Sequence, residues 1–158
     1  MDPNLQSCLK KYGIQYKTYK HIPVFTVEES KNIKAKIPGK HTKCLFLKDN
    51  NGQFYLIALP AQKRLNTKTL RKKLNVKKLN FGSPEELKKE LNLTPGSVSI
   101  FGMIYSSSVF LIIDKELWDA EITGFHPNIN TSTITLTHES LEKFYNSLTA
   151  KKQIMELS

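Results

Sequence analysis

TKCLFLKDNNGQFYLIAL, residues 42–59, decides the fold class. Residues 42–49 and 53–59 are rich in β-branched, aromatic and aliphatic side chains. The turn formers Asp49-Asn50-Asn51-Gly52 join them, so the stretch predicts a β-hairpin. Helical patterns surround it. Asp2 and Pro3 form a helix start, with Leu5, Cys8, Leu9 and Tyr12 on one face. IQYKTYK alternates as a short strand. Thr26-x-x-Glu29 is a capping-box pattern for a short helix near Val27. Asn66 precedes a helix carrying Leu70 and Leu74, LNF (79–81) reads as a short strand, and Ser83-Pro84-Glu85-Glu86 opens another helix. GSVSIFGMI (96–104) and SVFLIID (108–114) are apolar enough for buried strands. ITGFHP leads into the strand TSTITLT (131–137). A last helix starts at Thr137 or His138, with Leu141, Phe144, Tyr145 and Leu148 inward, and the basic tail 149–158 is expected to fray. Strands in runs with helices interspersed predict a single α+β domain over residues 1–158. Its sheet is expected to be mixed and largely antiparallel, with helices around it.

The composition excludes several function classes. The 158 residues hold no apolar run near the roughly 18 needed for a membrane span. The start MDPNLQSCLKKYG lacks a signal-peptide pattern. Cys8 and Cys44 make no disulfide framework, which fits a reducing, cytoplasmic setting. His41 and Cys44 form one H-x-x-C pair with no second pair, so no metal site is expected. Nucleotide-binding loops and zinc-protease or serine-hydrolase motifs are absent. The net charge of +10 favours a polyanionic partner, against the plainer reading of solvated lysines. From Lys63 to Lys78 there are eight basic residues and no acidic one.

Three positions can carry chemistry. If Leu45 and Leu47 face inward, Lys43 shares their side of the strand and can reach a pocket; otherwise it snorkels to water. The glycines of GSVSIFG (96–102) can bring backbone N–H groups close to a ligand, or mark an awkward turn. His126, made extended by Pro127, can aim its ring at a site or make an ordinary polar contact.

Five segments then resemble the YbaK/ProX family of trans-editing aminoacyl-tRNA deacylases. They are HIPVFTVEE (21–29), HTKCLFLKD (41–49), LTPGSVSIFG (93–102), IDKEL (113–117) and GFHPNINTSTITL (124–136), and the resemblance covers about residues 19–148. It looks most like the branch that clears alanine mischarged on proline tRNA. The resemblance implies a curved sheet and hydrolysis of the aminoacyl ester without cofactor or metal. It gives catalytic positions Lys43, Gly96 and His126. Val24 and Phe25 would line the small side-chain pocket, and Cys44, Ser99, Ile100, Gly102, Gly124 and Phe125 complete the substrate-binding set. Lys63, Arg64, Arg71, Lys72 and Lys73 are the expected tRNA contacts. The implied partner is the aminoacylated acceptor end of tRNA, with prolyl-tRNA synthetase a candidate second partner and the protein acting as a monomer. Two positions depart from the family pattern. Ile100 stands where the G-x-x-x-P motif has proline, and Cys44 where the alanine-specific branch often has asparagine. These leave open a relative acting on cysteinyl, seryl or threonyl esters, or a tRNA-binding module without turnover.

Overall fold

The computed structural model describes residues 1–21, 35–129 and 131–157. The hairpin is present as β2 (Lys40–Asp49) and β3 (Phe54–Pro60), paired antiparallel from Thr42↔Pro60 to Lys48↔Phe54. Its turn is closed by Asp49, whose Oδ1 accepts the Asn51 and Gln53 N–H groups at 2.8 and 3.0 Å. Gly52 supplies the left-handed conformation that the turn needs, at φ +87°.

The other strands are β1 (Lys17–Lys20), β4 (Leu79–Phe81), β5 (Phe110–Asp114), β6 (Ile122–Phe125), β7 (Ser132–Thr137) and β8 (Lys152–Met155). They run in the order β1-β7-β6-β2-β3-β5-β8, with β4 attached to β2. The sheet is mixed. Four pairings are antiparallel (β1·β7, β2·β3, β2·β4, β6·β7) and three are parallel (β2·β6, β3·β5, β5·β8).

Side-chain alternation along β2 divides the core in two. Phe46, Leu56, Ala58, Leu111 and Ile113 face the main core, with Cys44 packed against it. That core is closed by α1 (Pro3–Lys11), α3 (Pro84–Leu91), a 3₁₀ helix (Ile100–Tyr105) and α5 (His138–Ser147). Leu47, Tyr55, Ile57, Leu59, Phe110 and Ile112 face the other way, towards Leu70 of α2 (Thr67–Leu74). Covering on both faces explains the unbroken apolar run of β3.

The helix starts are as the sequence predicts. Asp2, Asn66, Ser83 and Thr137 each accept a backbone N–H, and Ser83 with Glu86 forms a complete capping box. Tyr12, expected inward, is instead the exposed C-cap of α1. The Thr26–Glu29 capping box lies outside the described residues.

Three other expectations are corrected. Residues 96–104 form no strand: the Ser99 hydroxyl accepts the Phe101 N–H at 3.2 Å and starts the 3₁₀ helix. ITGF is a strand in its own right and not merely a lead-in. The tail does not fray. Its residues 152–155 add β8 in parallel to β5, and Leu157 is buried in the second core. The four-residue α4 (Lys115–Trp118) follows β5, capped by Asp114.

Leu157→Ala is therefore expected to cost about 2–5 kcal/mol, the range for emptying a core leucine site. Urea unfolding measures it, and a loss below about 0.5 kcal/mol would return the tail to a frayed state.

Candidate active site

Among the described residues, the site begins with a gap in strand pairing. The inner edge of β2 is zipped to β3 along its length. On the outer edge, β6 pairs only at Lys40↔Thr123 and His41↔Gly124, and β4 only from Leu47↔Phe81 onward. The His41 carbonyl accepts from Ala61 and Asp49 N–H donates to Gln53, so odd-numbered residues bond to the β3 side. Even-numbered residues turn outward, as the Phe46 carbonyl does in accepting from Gly82 at 2.9 Å. The Cys44 N–H and C=O therefore point into the opening between β6 and β4.

Lys43 and His126 stand at one end of this opening. Each lies two residues beyond the last rung, His41↔Gly124, on neighbouring parallel strands. Period-two alternation places both on the face of His41 and Gly124, opposite the main core. This face is polar where the rest is apolar. His21 Nε2 lies 3.0 Å from the Thr133 hydroxyl, and the His21 and His126 rings meet edge-on with centroids 6.4 Å apart. His41 Nε2–H donates to the Ile37 carbonyl at 3.1 Å. Thr133 and Thr135 are each only 5% exposed. Gly124 keeps the face open: a Cβ there would lie 3.3 Å from His41 Nδ1 and 3.4 Å from Thr133 Cγ2.

The loop behind His126 is anchored. Its Nδ1–H donates to the Ser132 carbonyl at 3.4 Å, which sets the proton on Nδ1 in the neutral ring. Asn128 takes a left-handed conformation at φ +64° and donates to Asp2 Oδ2 at 3.3 Å. Tyr105 donates to the same oxygen at 2.5 Å. Partial burial pushes the Asp2 carboxyl up, but hydrogen bonds from Tyr105, Asn128 and the Asn4 N–H outweigh it and hold the group below its ordinary value.

The segment expected to supply backbone donors starts at Gly96, which has φ +89°, and it packs through Val98, Ile100 and Phe101 against the main core, on the Cys44 side of β2. Several of its backbone donors are already engaged. Ser97 N–H donates to the Thr94 carbonyl and Gly102 N–H to the Ser99 carbonyl, both at 3.1 Å, while Ile100 N–H is directed at the Cys44 sulfur. Gly102 is a packing glycine, since a Cβ there would fall 2.6 Å from Leu93 Cδ1. Burial pushes the Cys44 thiol up to about 12, against the opposing pull of the Ile100 N–H. Such a thiol stays neutral and is no nucleophile near neutral pH.

The structure thus sorts the expected residues. Lys43, Gly124 and His126 converge on the polar face, and Cys44 meets the opening through its backbone. Ser99, Ile100 and Phe125 turn their side chains into the interior, with the Phe125 ring 5.6 Å from that of Phe101. Val24 and Phe25 lie outside the described residues. Lys63, expected on the tRNA surface, instead forms an ion pair at 2.7 Å with Asp114, which is 1% exposed. Arg71 and Lys73 donate to the carbonyls of Lys77 and Glu156, while Arg64 and Lys72 remain exposed. His41 and Cys44 point to opposite faces of β2. Among the described residues no three His, Cys, Asp or Glu side chains are grouped to hold a metal. His21, His41 and Thr133 carried no assigned role in the sequence. Their signal was the alternation of TSTITLT, which puts Thr133 and Thr135 opposite Ile134 and Leu136.

Comparison with known proteins adds a common theme. The family model described as an aminoacyl-tRNA editing domain matches residues 21–144. The prolyl-tRNA editing protein ProX of Acetoanaerobium sticklandii is 37% identical over 138 residues, covering 85% of this chain and 84% of its own. The prolyl-tRNA synthetase associated domain-containing protein 1 of Danio rerio is 28% identical over 144 residues, covering 89% and 78%. Among solved structures, a candidate trans-editing enzyme for prolyl-tRNA synthetase superposes with TM-score 0.76 at 16% identity, covering 100% of this chain and 98% of its own. The hypothetical protein APE2540 gives TM-score 0.77 at 17% identity, covering 98% of both chains. These two likenesses bear on the fold.

In a Cys8→Ser protein, alkylation of Cys44 is expected to be slow at pH 8 and to keep rising above pH 9. An inflection below about pH 8 would mark a reactive thiolate and reinstate Cys44 as a candidate nucleophile.

Proposed function

The chain belongs to the family of aminoacyl-tRNA editing domains and is an aminoacyl-tRNA deacylase; from that premise we propose that it edits proline tRNA in trans, hydrolysing the alanyl ester. The observation that supports the site assignment is that Lys43 and His126 lie just past the last β2–β6 rung, at a strand edge left unpaired among the described residues. The ProX relative's name supports proline tRNA as the substrate.

An aminoacyl ester is already activated, so hydrolysis needs positioning more than a strong nucleophile. The Lys43 ammonium holds a phosphate or ribose oxygen of the terminal nucleotide. The backbone N–H groups of Gly96, Val98 and Ser99 are the donors proposed to polarise the ester carbonyl, since those of Ser97, Ile100, Phe101 and Gly102 are engaged elsewhere. A water oxygen adds to the carbonyl carbon. The bond to the ribose oxygen breaks, and that oxygen takes up a proton. The products are free amino acid and uncharged tRNA. The adjacent ribose hydroxyl orients the water, which fits a site where the Cys44 thiol is neutral.

Selectivity is steric in this proposal. His126 is the described residue proposed for a rim that admits a methyl group and excludes a pyrrolidine ring; Val24 and Phe25, which the family resemblance adds, lie outside the described residues. Exclusion of a larger group is easier than rejection of a smaller one, because a missing methylene is worth only about 1–3 kcal/mol. Glycyl ester therefore leaks through.

Lys43→Ala is expected to lower kcat/KM for deacylation by about 10- to 150-fold, the worth of one charge-assisted contact, with the fold intact by circular dichroism. A panel of Ala-, Ser-, Cys- and Pro-tRNA should show fastest loss of the alanyl ester and sparing of the prolyl ester. Fast prolyl hydrolysis or a cysteinyl preference overturns the alanine assignment.

The exposed cations separate from the structural one. Charge reversal of Arg64 and Lys72 should weaken tRNA binding and flatten its salt dependence. Lys63→Glu should instead lower stability, because it breaks the pair with buried Asp114. Equal binding by the Arg64 and Lys72 variant moves the tRNA to another face.

A further inference from the structure

Among the described residues, Phe81 is the most exposed large apolar side chain. It is 73% exposed, on a three-residue strand at the edge of the sheet. Leu79, two residues earlier on the same face, packs against the second core. The register pairs Phe81 with Leu47, so its ring stands on the face that carries Leu45 and Lys43. The opening in β2 is bracketed by these two residues, with Lys43 at the β6 end and Phe81 at the β4 end. Leu47 is four residue steps along the strand from Lys43, about 13 Å. That matches roughly four nucleotides of a stacked single strand at 3.4 Å each.

The chain leading into Phe81 is cationic. Lys77 and Lys78 are exposed, and their backbone N–H groups are fixed on Asn50 Oδ1 at 2.9 and 3.2 Å. They end the acid-free run that begins at Lys63. An uncovered phenyl ring on an edge strand invites association and adds little packing. Beside fixed cations, its flat face suits a nucleobase, since aromatic platforms next to basic grooves are how proteins hold single-stranded nucleic acid.

We propose that Phe81 is a stacking platform for a base of the single-stranded acceptor end of tRNA, holding the strand as it runs across Leu45 towards Lys43. The identity of this RNA rests on the editing function proposed above; the platform itself is read through binding. Phe81 is a positioning residue: it places the ester without touching the reacting atoms.

The experiment uses two labelled RNA hairpins, one with a single-stranded 3′ overhang ending in CCA and one blunt, titrated by fluorescence anisotropy. Wild type should prefer the overhang. Phe81→Ala should weaken overhang binding by about 5- to 150-fold, the worth of one stacked base, and leave blunt-hairpin binding unchanged. Phe81→Trp should retain binding, and Phe81→Leu should not restore it. In deacylation assays Phe81→Ala should raise KM by a similar factor with kcat unchanged. Overhang binding by Phe81→Ala at the wild-type level overturns the platform. Full rescue by leucine reduces it to a plain apolar contact and overturns stacking, and equal loss for both hairpins removes the single-strand specificity. Overhang binding through Phe81 without any ester hydrolysis would support the platform while sinking the editing reading.

Discussion

One strand edge cannot serve two neighbours over the same residues, and the site depends on that constraint. β6 takes the outer edge of β2 as far as His41, and β4 takes it from Leu47. The inner edge is paired with β3 from Thr42 to Lys48, and among the described residues no strand takes the outward backbone groups in between. The opening lies where the covered apolar face under α2 gives way to the polar face of His21, His41, His126 and Thr133. Lys43 stands at that boundary, paired with Leu59 across the strand and two residues from Leu45 on the same face.

The parts of the fold legible in the sequence are those fixed by local chemistry. Asp49 and Gly52 specify the hairpin turn, and Asp2, Asn66, Ser83 and Thr137 specify helix starts through their own side-chain oxygens. The illegible parts are decided by partners distant in the chain. Residues 100–105 are as apolar as a buried strand, and periodicity cannot separate the two. Ser99 and the contact of Gly102 with Leu93 decide for the 3₁₀ helix. β8 is short and lysine-bearing, so nothing in its own pattern announces a strand. It forms because β5 offers an unpaired edge and the second core accepts Leu157.

The site shows the same division. Lys43 and its sidedness follow from alternation along one strand. The histidine pairing of His21 with His126 needs β1, β7 and β6 in register, which no local pattern contains. The charge run from Lys63 is real as composition, but it mixes a structural cation with exposed ones. Only Asp114, 51 residues away, reveals that Lys63 is paired inside the protein.

The contact between the Ile100 N–H and the Cys44 sulfur also limits how this sequence can change. A proline at 100 has no N–H, so it would leave the thiol without its donor. A side chain at 44 without an acceptor would strand the amide of Ile100 in the interior, at a cost of about 1–3 kcal/mol. Positions 44 and 100 are thus coupled through one contact, and unequally: an acceptor-bearing side chain such as asparagine at 44 can still take the Ile100 N–H, whereas a residue at 100 without an N–H has no remedy from position 44.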